Sequence, residues 1–374
     1  MMKVKKKKGL EFCVQLDPAR KQKLQKKLFD WYVIHQRELP WRKVKDPYSV
    51  WISEVMLQQT QVQTVIPYYL RFLKSFPTIG HLAKANLQHL LRVWAGLGYY
   101  SRARNLRQAA RKIIQDHNGR FPESYEGVLA LPGIGRYTAG AISSIAFNQR
   151  YPALDGNAAR VLTRLFKLRG DPKSAGLHAL LWKCAQELIP QSNPGDFNQA
   201  LMELGATLCS PRRPACLRCP WQAECLARKE GIQELLPEKR TSLVAEKSQW
   251  AVAVIFHNQR VLIVRRTEGK LLRDFWEFPG GEFNEVGNLK SALAKKIWRD
   301  FGLRVRLRNR LTTIKHAITK RRITLLVYQA ELKTSMLKVP HTQTVRWVRL
   351  DELKKYPFAS ASSQVVKALK SMIC

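Results

Sequence analysis

Four cysteines crowd into seventeen consecutive positions of this 374-residue chain: Cys209, Cys216, Cys219 and Cys225, with spacers of six, two and five residues. Thiolates this close together are typical of a metal centre, because a disulfide framework belongs to small secreted domains rather than to a chain of this length. Structural zinc usually takes two short pairs separated by a longer loop. The uneven spacing therefore favours an iron–sulfur cube, with zinc and free thiols as the alternatives.

Glu54 is the first of two carboxylates that could do acid–base chemistry. It lies in a strongly apolar stretch, between Trp51 and Ile52 on one side and Val55 and Met56 on the other. Removal from water raises the pKa of a carboxyl group, and a raised pKa suits a general acid at neutral pH. The alternative is an exposed glutamate on an amphipathic helix, and taken alone this is the simpler interpretation.

Two glycines spaced by one apolar residue, Gly133 and Gly135, lie between two helical stretches. Leu131 leads into the turn, and Thr138 lies in the helix of small residues that follows. Such a turn leaves backbone amides accessible at a helix N-terminus, where a phosphate can bind. The pattern predicts a helix-hairpin-helix at 131–142 that binds a phosphate, with a plain helix–helix turn as the alternative.

Asp155 is the second carboxylate, about twenty residues beyond the hairpin. It lies in a polar turn, Leu154 to Asn157, that precedes a helical stretch at 158–168. An aspartate at this position commonly caps the helix that follows, and for a lone aspartate the cap is the better interpretation.

Charge gives the first indication of a partner. The chain has 65 Lys and Arg against 28 Asp and Glu, a net charge of +37. Such an excess produces a salt-sensitive, sequence-independent affinity for polyanions such as nucleic acid. The alternatives are a basic surface kept for solubility and binding to anionic membranes, but no amphipathic basic helix stands out. Because we find no secretory signal or membrane-spanning stretch, we expect a cytoplasmic protein.

The length and the changing periodicity predict several domains. Apolar residues recur at helical spacing through the first half, whereas short apolar runs at 250–256 and 260–265 form a hairpin-like pattern later in the chain. The predicted parts are a basic arm at 1–21, a helical domain at 22–228 with the cysteine loop at 209–225, a linker at 229–248 and an α+β domain at 249–374.

Further distinctive stretches are Leu39–Arg42, Ser53–Val62 and Gly96–Arg102. Together with the hairpin, Leu154–Asn157 and the four cysteines, they resemble the helix-hairpin-helix DNA glycosylases that carry a cysteine-cluster loop. Within these, the chain is most similar to the MutY family of adenine DNA glycosylases, from about Leu24 to Lys370. The resemblance implies an all-α glycosylase core with one [4Fe–4S] cluster, followed by a Nudix-like α+β domain.

The resemblance also implies a reaction: hydrolysis of adenine from double-stranded DNA that contains A:8-oxoguanine or A:G mispairs. In this family a glutamate protonates the adenine ring, which assigns that role to Glu54. An aspartate stabilises the oxocarbenium-like sugar and carries a transient sugar adduct before water completes a retaining hydrolysis, which assigns that role to Asp155. Tyr137 and Asn157 match positions that support the aspartate and the intermediate.

Further roles concern the DNA, because the adenine must be flipped out of the base stack. Gln59 and Tyr99 match the residues that wedge into the duplex near the lesion. Arg42 and Gln199 match positions that line the adenine pocket. The residues implied to contact DNA at the hairpin are Leu131, Gly133, Gly135 and Thr138.

One departure separates the chain from endonuclease III, a bifunctional glycosylase and lyase. That enzyme carries a lysine nucleophile where this chain has Tyr137, and Ala159 leaves no lysine one turn beyond Asp155. Without the amine no obligatory Schiff base forms, so we expect a monofunctional glycosylase. The alternatives are an oxidised-pyrimidine glycosylase with lyase activity and a DNA-binding protein without activity.

The C-terminal part resembles a Nudix domain at Phe275–Glu282 and Phe301–Leu303. Active Nudix enzymes need glutamates on one helix to hold magnesium. The corresponding positions here are Gly287, Lys295, Lys296, Arg299 and Asp300. One carboxylate remains among several cations, so we expect phosphate affinity rather than metal binding or pyrophosphohydrolase activity.

The resemblance assigns recognition of 8-oxoguanine to this second domain. The loop that does so carries Phe-Ser-His in the MutY family, whereas the aligned residues here are Ile318, Thr319 and Lys320. Thr319 retains a hydroxyl that could contact the 8-oxo edge. The sequence leaves open whether this altered loop distinguishes the lesion from guanine. We expect a monomer.

Overall fold

The computed structural model describes residues 16–238, 246–267, 272–283, 288–318, 321–335 and 344–371. The chain divides into two compact units. The first comprises Met1–Lys84 and Asn105–Ser242, and the second comprises Ala85–Arg104 and Leu243–Cys374. A short segment from the middle of the predicted helical domain is therefore grouped with the C-terminal residues.

The first unit is helical, as predicted. Its helices are α1 (Pro18–His35), α2 (Pro47–Leu57), α3 (Val62–Ser75), α4 (Ile79–Lys84), most of α6 (Ser101–Asp116), α7 (Tyr125–Leu129), α8 (Arg136–Phe147), α9 (Gly156–Leu165), α10 (Ala175–Leu188), α11 (Pro194–Thr207) and α12 (Leu226–Lys229). Single 3₁₀ turns occur at Pro40–Arg42 and Cys216–Arg218.

Capping explains where the first helix begins. The Asp17 side chain accepts a hydrogen bond of 3.0 Å from the Arg20 amide, and Pro18 occupies the first helical position, where its missing N–H costs nothing. Helix α1 therefore starts inside the predicted arm, 1–21. Of that arm, residues 1–15 lie outside the described residues.

A hydrophobic cluster joins α1, α9, α10 and α11 in the first unit. Leu28, Leu162, Leu181 and Leu204 are essentially inaccessible to solvent in this cluster. The buried Trp221 ties the cysteine loop to it, because its indole N–H donates 2.9 Å to the Leu24 carbonyl. The same core thus positions α9, α11 and the loop.

The second unit contains one mixed sheet together with α5 (Leu87–Trp94), α13 (Leu289–Phe301) and α14 (Ser360–Lys370). A 3₁₀ segment runs from Leu350 to Lys355. The strands are β1 (Glu246–His257), β2 (Arg260–Arg265), β3 (Trp276–Glu277), β4 (Gly280–Phe283), β5 (Leu303–Ile318), β6 (Arg321–Ser335) and β7 (Thr344–Arg349).

The strand order is β3-β2-β1-β6-β5, with β4 paired to β1 and β7 paired to β2. Strands β1 and β6 run parallel, and the other pairs are antiparallel. The predicted hairpin is confirmed, since Phe256 pairs with Val261 and His257 with Arg260. The predicted linker ends earlier than expected, because β1 begins at Glu246.

Two hydrophobic clusters cover the sheet. One contains Val254 and Ile263 with Leu369 of α14, and the other contains Ala253 and Leu262 with Ile297 of α13. Alternate residues of a strand point to opposite faces, so β1 and β2 contribute to both clusters. This α+β architecture confirms the predicted fold class. In the described part of the chain no helix is long and apolar enough to cross a membrane.

Candidate active site, DNA-contact residues and cysteine loop

Glu54 is held inside the protein by α2. The Asp46 side chain caps this helix by accepting a hydrogen bond of 2.8 Å from the Ser49 amide. Trp51 and Ile52 are buried beside Glu54, whose own exposure is 5%. An exposed glutamate on an amphipathic helix, the simpler interpretation of the sequence, is therefore wrong.

The Glu54 carboxyl group has a hydroxyl partner. The hydroxyl of Tyr137, in the first turn of α8, donates 2.5 Å to Oε2 of Glu54. Burial raises the pKa of Glu54 to about 7; the Tyr137 hydrogen bond opposes this rise, and the negative charge of Asp155 adds to it. A carboxyl group with this pKa is partly protonated at neutral pH and can act as a proton donor.

Tyr137 donates its hydroxyl hydrogen bond to Glu54. The same hydroxyl lies 3.4 Å from Sδ of Met202. The support of Asp155 and of the intermediate that the resemblance implies for Tyr137 and Asn157 stays a prediction. Asp155 is nevertheless near, because its charge contributes to the raised pKa of Tyr137, after burial and the charge of Glu54. Tyr137 therefore donates a hydrogen bond to the first carboxylate and is close enough to the second to be affected by its charge.

Asp155 is both a helix cap and a partly buried carboxylate. Its Oδ1 accepts 2.7 Å from the Ala158 amide at the start of α9, and its Oδ2 accepts 2.9 Å from the Asn157 amide side chain. Burial raises the pKa of Asp155, while these hydrogen bonds favour the ionised form. The cap interpretation is correct, and it fixes the orientation of the carboxylate.

Arg42 and Gln199 line one cavity of about 370 Å³, together with Tyr32, Trp41 and Asp196. This volume lies within the range of small-molecule sites. The guanidinium of Arg42 is fixed, because it donates 2.7 Å to Glu203 Oε2 and 2.8 Å to a backbone carbonyl. The structure therefore places the two residues predicted to line a base pocket on one cavity, and the lining of this cavity includes neither Glu54 nor Asp155.

The hairpin has the backbone geometry that its glycines predict. Gly133 has a φ of +79°, and a Cβ there would lie 2.6 Å from Cβ of Asn105. Gly135 precedes α8 as its exposed N-cap. The side chains of Leu131 and Thr138, however, are 2% and 1% exposed. A contact of these two side chains with DNA is therefore excluded in this arrangement, and only their backbone can take part.

The two predicted wedge residues share an unusual backbone conformation. Gln59 has a φ of +57° and Tyr99 a φ of +45°, in the left-handed region that residues other than glycine seldom adopt. Both side chains are exposed, Tyr99 to 44%. Gln59 belongs to the first unit and Tyr99 to the second. Such strained conformations are concentrated at functional sites.

The four cysteines line a single cavity with Arg164 of α9. Arg164 is 2% exposed and donates 3.2 Å to Sγ of Cys209. Within the described ranges, no group of three or more His, Cys, Asp or Glu side chains forms a site for a metal ion.

Helix α13 carries the cations expected at the Nudix positions. Lys296 forms an ion pair of 2.7 Å with Asp300, the remaining carboxylate, and Arg299 also contacts Asp300 at 3.1 Å. Gly287 and Thr319 lie outside the described residues, so their predicted roles stay predictions. Lys296 also packs against Gly281, where its Cε lies 2.9 Å from the position of an added Cβ.

Two residues beside the predicted base pocket were missed by sequence analysis, Glu203 and Arg37. Glu203 is 1% exposed and binds both Arg42 and Arg37, the latter through Nε at 2.6 Å. The signal was available for Glu203, because it lies one helical turn after Gln199 and on the same face of α11. The partnership of Arg37 joins distant segments and has no local signal.

Comparisons with known proteins agree with the two parts of the chain. The family described as "HhH-GPD superfamily base excision DNA repair protein" matches residues 52–187, and the NUDIX domain family matches residues 251–368. The adenine DNA glycosylase of Homo sapiens is 35% identical, over 91% of this chain and 72% of its own length. That of Buchnera aphidicola (Schizaphis graminum) is 39% identical, over 67% and 73%.

Solved structures resemble the helical part. A thermostable thymine-DNA glycosylase superposes with a TM-score of 0.52 at 28% identity, covering 57% of this chain and 100% of its own. An endonuclease III bound non-covalently to DNA has a TM-score of 0.50 at 22% identity, over 59% and 100%. The second similarity establishes the fold alone.

Proposed function

Because this chain belongs to the adenine DNA glycosylases of base excision repair, we propose that it removes adenine paired with 8-oxoguanine, and more slowly adenine paired with guanine. The enzyme is a hydrolase of the N-glycosidic bond in double-stranded DNA. The observation that carries the proposal is the buried carboxyl group of Glu54, bonded to Tyr137 and close enough to Asp155 to be affected by its charge.

Glu54 is the proposed general acid. Protonation of the adenine ring withdraws electrons from the glycosidic bond, so the base leaves as a neutral molecule. The Tyr137 hydroxyl occupies Oε2, which leaves Oε1 as the oxygen that carries the proton to the base. With its pKa near 7, Glu54 retains a proton at neutral pH in a much larger fraction of molecules than an ordinary glutamate does.

Asp155 is the proposed stabiliser of the sugar. As the base leaves, positive charge develops on the sugar, and a carboxylate held close by lowers the energy of that state. The hydrogen bonds from Ala158 and Asn157 orient the carboxylate and favour its ionised form. Attack of Asp155 on the sugar, followed by water, gives a retaining hydrolysis. Tyr137 supplies no amine, so lyase activity is not expected.

Arg42 and Gln199 are proposed to contact the flipped adenine. Supporting this, the anchored guanidinium of Arg42 offers N–H donors and the Gln199 amide offers both a donor and an acceptor. The proposed DNA contacts are the Gly133–Gly135 backbone and the exposed side chains of Gln59 and Tyr99. The net charge of +37 supplies the general attraction to phosphates.

The cysteine cavity fits an iron–sulfur cluster. Four soft thiol donors surround one space, and a buried guanidinium N–H points at Cys209 Sγ, as expected for hydrogen bonds that stabilise cluster thiolates. We propose that Cys209, Cys216, Cys219 and Cys225 hold one [4Fe–4S] cluster. When bound, it would cross-link the loop and fix the exposed Arg212, Arg213 and Arg218 at its surface.

The proposal also covers the contact with the lesion, the oligomeric state and the cellular location. Thr319 is proposed to contact the 8-oxo edge of the lesion, although it lies outside the described residues. The protein is proposed to act as a monomer in the cytoplasm.

Single-turnover adenine release from two duplexes, A opposite 8-oxoguanine and A opposite G, tests the function. We expect faster release opposite 8-oxoguanine and a loss of about 100-fold or more in Glu54→Gln, the usual contribution of a general acid. Glu126→Gln changes an exposed glutamate of α7 and serves as the matched control. No release by the unaltered protein, or an undiminished rate in Glu54→Gln, would contradict the proposal. Borohydride trapping in amounts that match turnover would indicate a lyase instead.

A further inference from the structure

The loop that presents Tyr99 folds with the C-terminal α+β residues. Residues 52–187 match the base excision family, yet Ala85–Arg104 groups with Leu243–Cys374 in the second unit. The wedge residue and the Nudix-like sheet therefore belong to the same compact body. Specific contacts between the 85–104 segment and the C-terminal residues account for this grouping.

Tyr100, the neighbour of Tyr99, makes the central contact. Its ring packs on Phe275, with centroids 4.1 Å apart. Its hydroxyl accepts 3.2 Å from the backbone N–H of Ser360 and lies 3.3 Å from the Ser360 hydroxyl. Tyr100 and Phe275 are 7% and 2% exposed. Burial of the ring and the hydrogen bonds of its hydroxyl restrict the positions that Tyr100 can take, and thereby restrict the backbone beside it.

Gln88 of α5 makes a second contact nearby. Its amide donates 2.9 Å to the Asp274 carbonyl and accepts 2.9 Å from the indole N–H of Trp276. The Trp276 backbone N–H in turn donates 2.9 Å to Pro357, three residues before Ser360. These hydrogen bonds thus connect α5 to the residues around Trp276 and Pro357.

Arg102 supports the loop from within. Its guanidinium donates 3.2 Å to each of the Leu97 and Gly98 carbonyls and lies 5.3 Å above the Trp94 ring. The Trp94 indole donates 3.1 Å to the same Gly98 carbonyl. These contacts maintain the strained φ of Tyr99 while leaving 44% of its side chain exposed.

We propose that Tyr100 is a positioning residue, through which Phe275 and Ser360 of the Nudix-like part hold the Tyr99 loop in the conformation that enters DNA. A wedge fixed before binding loses less conformational entropy when it enters the duplex. The C-terminal part would thereby affect adenine release without touching the adenine. The inference rests on the proposed function and on the proposed wedge role of Tyr99.

A double-mutant cycle tests this inference in the full-length enzyme, with single-turnover adenine release as the readout. Tyr100→Phe removes only the hydroxyl, and we expect release to slow about 2- to 10-fold, the effect of one hydrogen bond. In the Tyr99→Ala background the same change should have no further effect. A merely structural role would slow release by the same factor in both backgrounds, and that outcome would overturn the proposal.

Ser360→Pro tests the contact from the other side. Ser360 is the first residue of α14, where proline is tolerated, and the preceding Ala359 has the extended ψ of 162° that proline requires. The substitution removes the N–H and the hydroxyl that face Tyr100 and should reproduce Tyr100→Phe. Tyr328→Phe, at a tyrosine of the same unit that is 8% exposed, is the matched control and should leave release unchanged.

The possible failures are distinguishable. Absence of adenine release by the unaltered enzyme would contradict the proposed function. Normal release in which Tyr100→Phe and Ser360→Pro have no effect, or act independently of Tyr99, would contradict only this inference. A 2-aminopurine base beside the lesion gives a second readout, because its fluorescence reports unstacking by the wedge. We expect less unstacking with Tyr100→Phe than with the unaltered enzyme.

Discussion

The hydroxyl of Tyr137 donates a hydrogen bond to Oε2 of Glu54 across 2.5 Å, in a region that excludes most water. This contact opposes the effect of burial, which alone would raise the pKa of Glu54 further. Tyr137 therefore adjusts the pH at which the proposed acid loses its proton.

The pH dependence of adenine release should report this adjustment. Glu54 must be protonated to act, so release should fall as the pH rises above about 7. Tyr137→Phe removes a bond that lowers the pKa of Glu54, and we expect the alkaline fall to move to higher pH. Single-turnover rates between about pH 6 and pH 9 measure the change. Tyr125→Phe, in the same unit, is the control and should leave unchanged the pH at which adenine release decreases. If Tyr137→Phe also leaves this pH unchanged, the hydrogen bond does not control the pKa of Glu54.

Glu54→Gln should be more stable than the unaltered protein at alkaline pH. The pKa of Glu54 is raised from 4.5 to about 7, so ionisation of this buried group progressively destabilises the folded state between these values. Above pH 7 the full cost is about 3 kcal/mol, because a tenfold change in an ionisation constant corresponds to about 1.36 kcal/mol. Glutamine cannot ionise and avoids this cost. Urea unfolding at pH 8 should show that Glu54→Gln is more stable than the unaltered protein, and at pH 5 most of this difference should be absent. The same difference at both pH values would argue against an ionised, buried Glu54.

Glu203 should be among the most sensitive residues of the first unit. Glu203 is 1% exposed and forms ion pairs with both Arg37 and Arg42. Their positive charges and hydrogen bonds keep the pKa of Glu203 below its usual value despite burial. Glu203→Ala leaves these guanidinium groups without their shared carboxylate, and we expect a loss of about 3–5 kcal/mol in the free energy of unfolding. Glu187→Ala breaks the more exposed pair with Lys21 and should cost less than about 1 kcal/mol. Similar losses in the two variants would be the contrary result.

The metal content of the purified protein distinguishes an iron–sulfur cluster from a zinc site, the two metal centres that the four cysteines could form. We expect about four irons per chain in protein purified without oxygen, with acid-labile sulfide in equal amount. Cys219→Ser should lose both, whereas Cys374→Ser, outside the four, should retain them. One zinc per chain and no iron would exclude the cluster.

Sequence patterns predicted the architecture because periodicity and turn residues are local. The helices and the β1–β2 hairpin follow from nearby residues, whereas the burial of Glu54 was only one of two interpretations that its apolar neighbours left open. The cap that Asp155 makes with the Ala158 amide likewise spans three positions. What escaped prediction depends on long-range packing: Arg37 meets Glu203 across 166 positions, and Tyr100 meets Ser360 across 260.

The hydrogen bond between Tyr137 and Glu54 escaped prediction for a similar reason. A resemblance places this side chain near the catalytic carboxylates but does not determine which of the two accepts the hydrogen bond from its hydroxyl. That choice depends on how α8 packs against α2, a tertiary relationship. Strand β5 was also missed, although its arginines alternate with apolar residues, a pattern that favours a half-buried strand.

Strand β5 has a further consequence for the solubility of the protein. Among the described strands it pairs with β6 alone, so an outer edge of up to sixteen residues is a template onto which another chain could add. Arg304, Arg306 and Arg310 are exposed along it. A second copy approaching this edge would bring the same positive charges, and their repulsion opposes edge-to-edge aggregation.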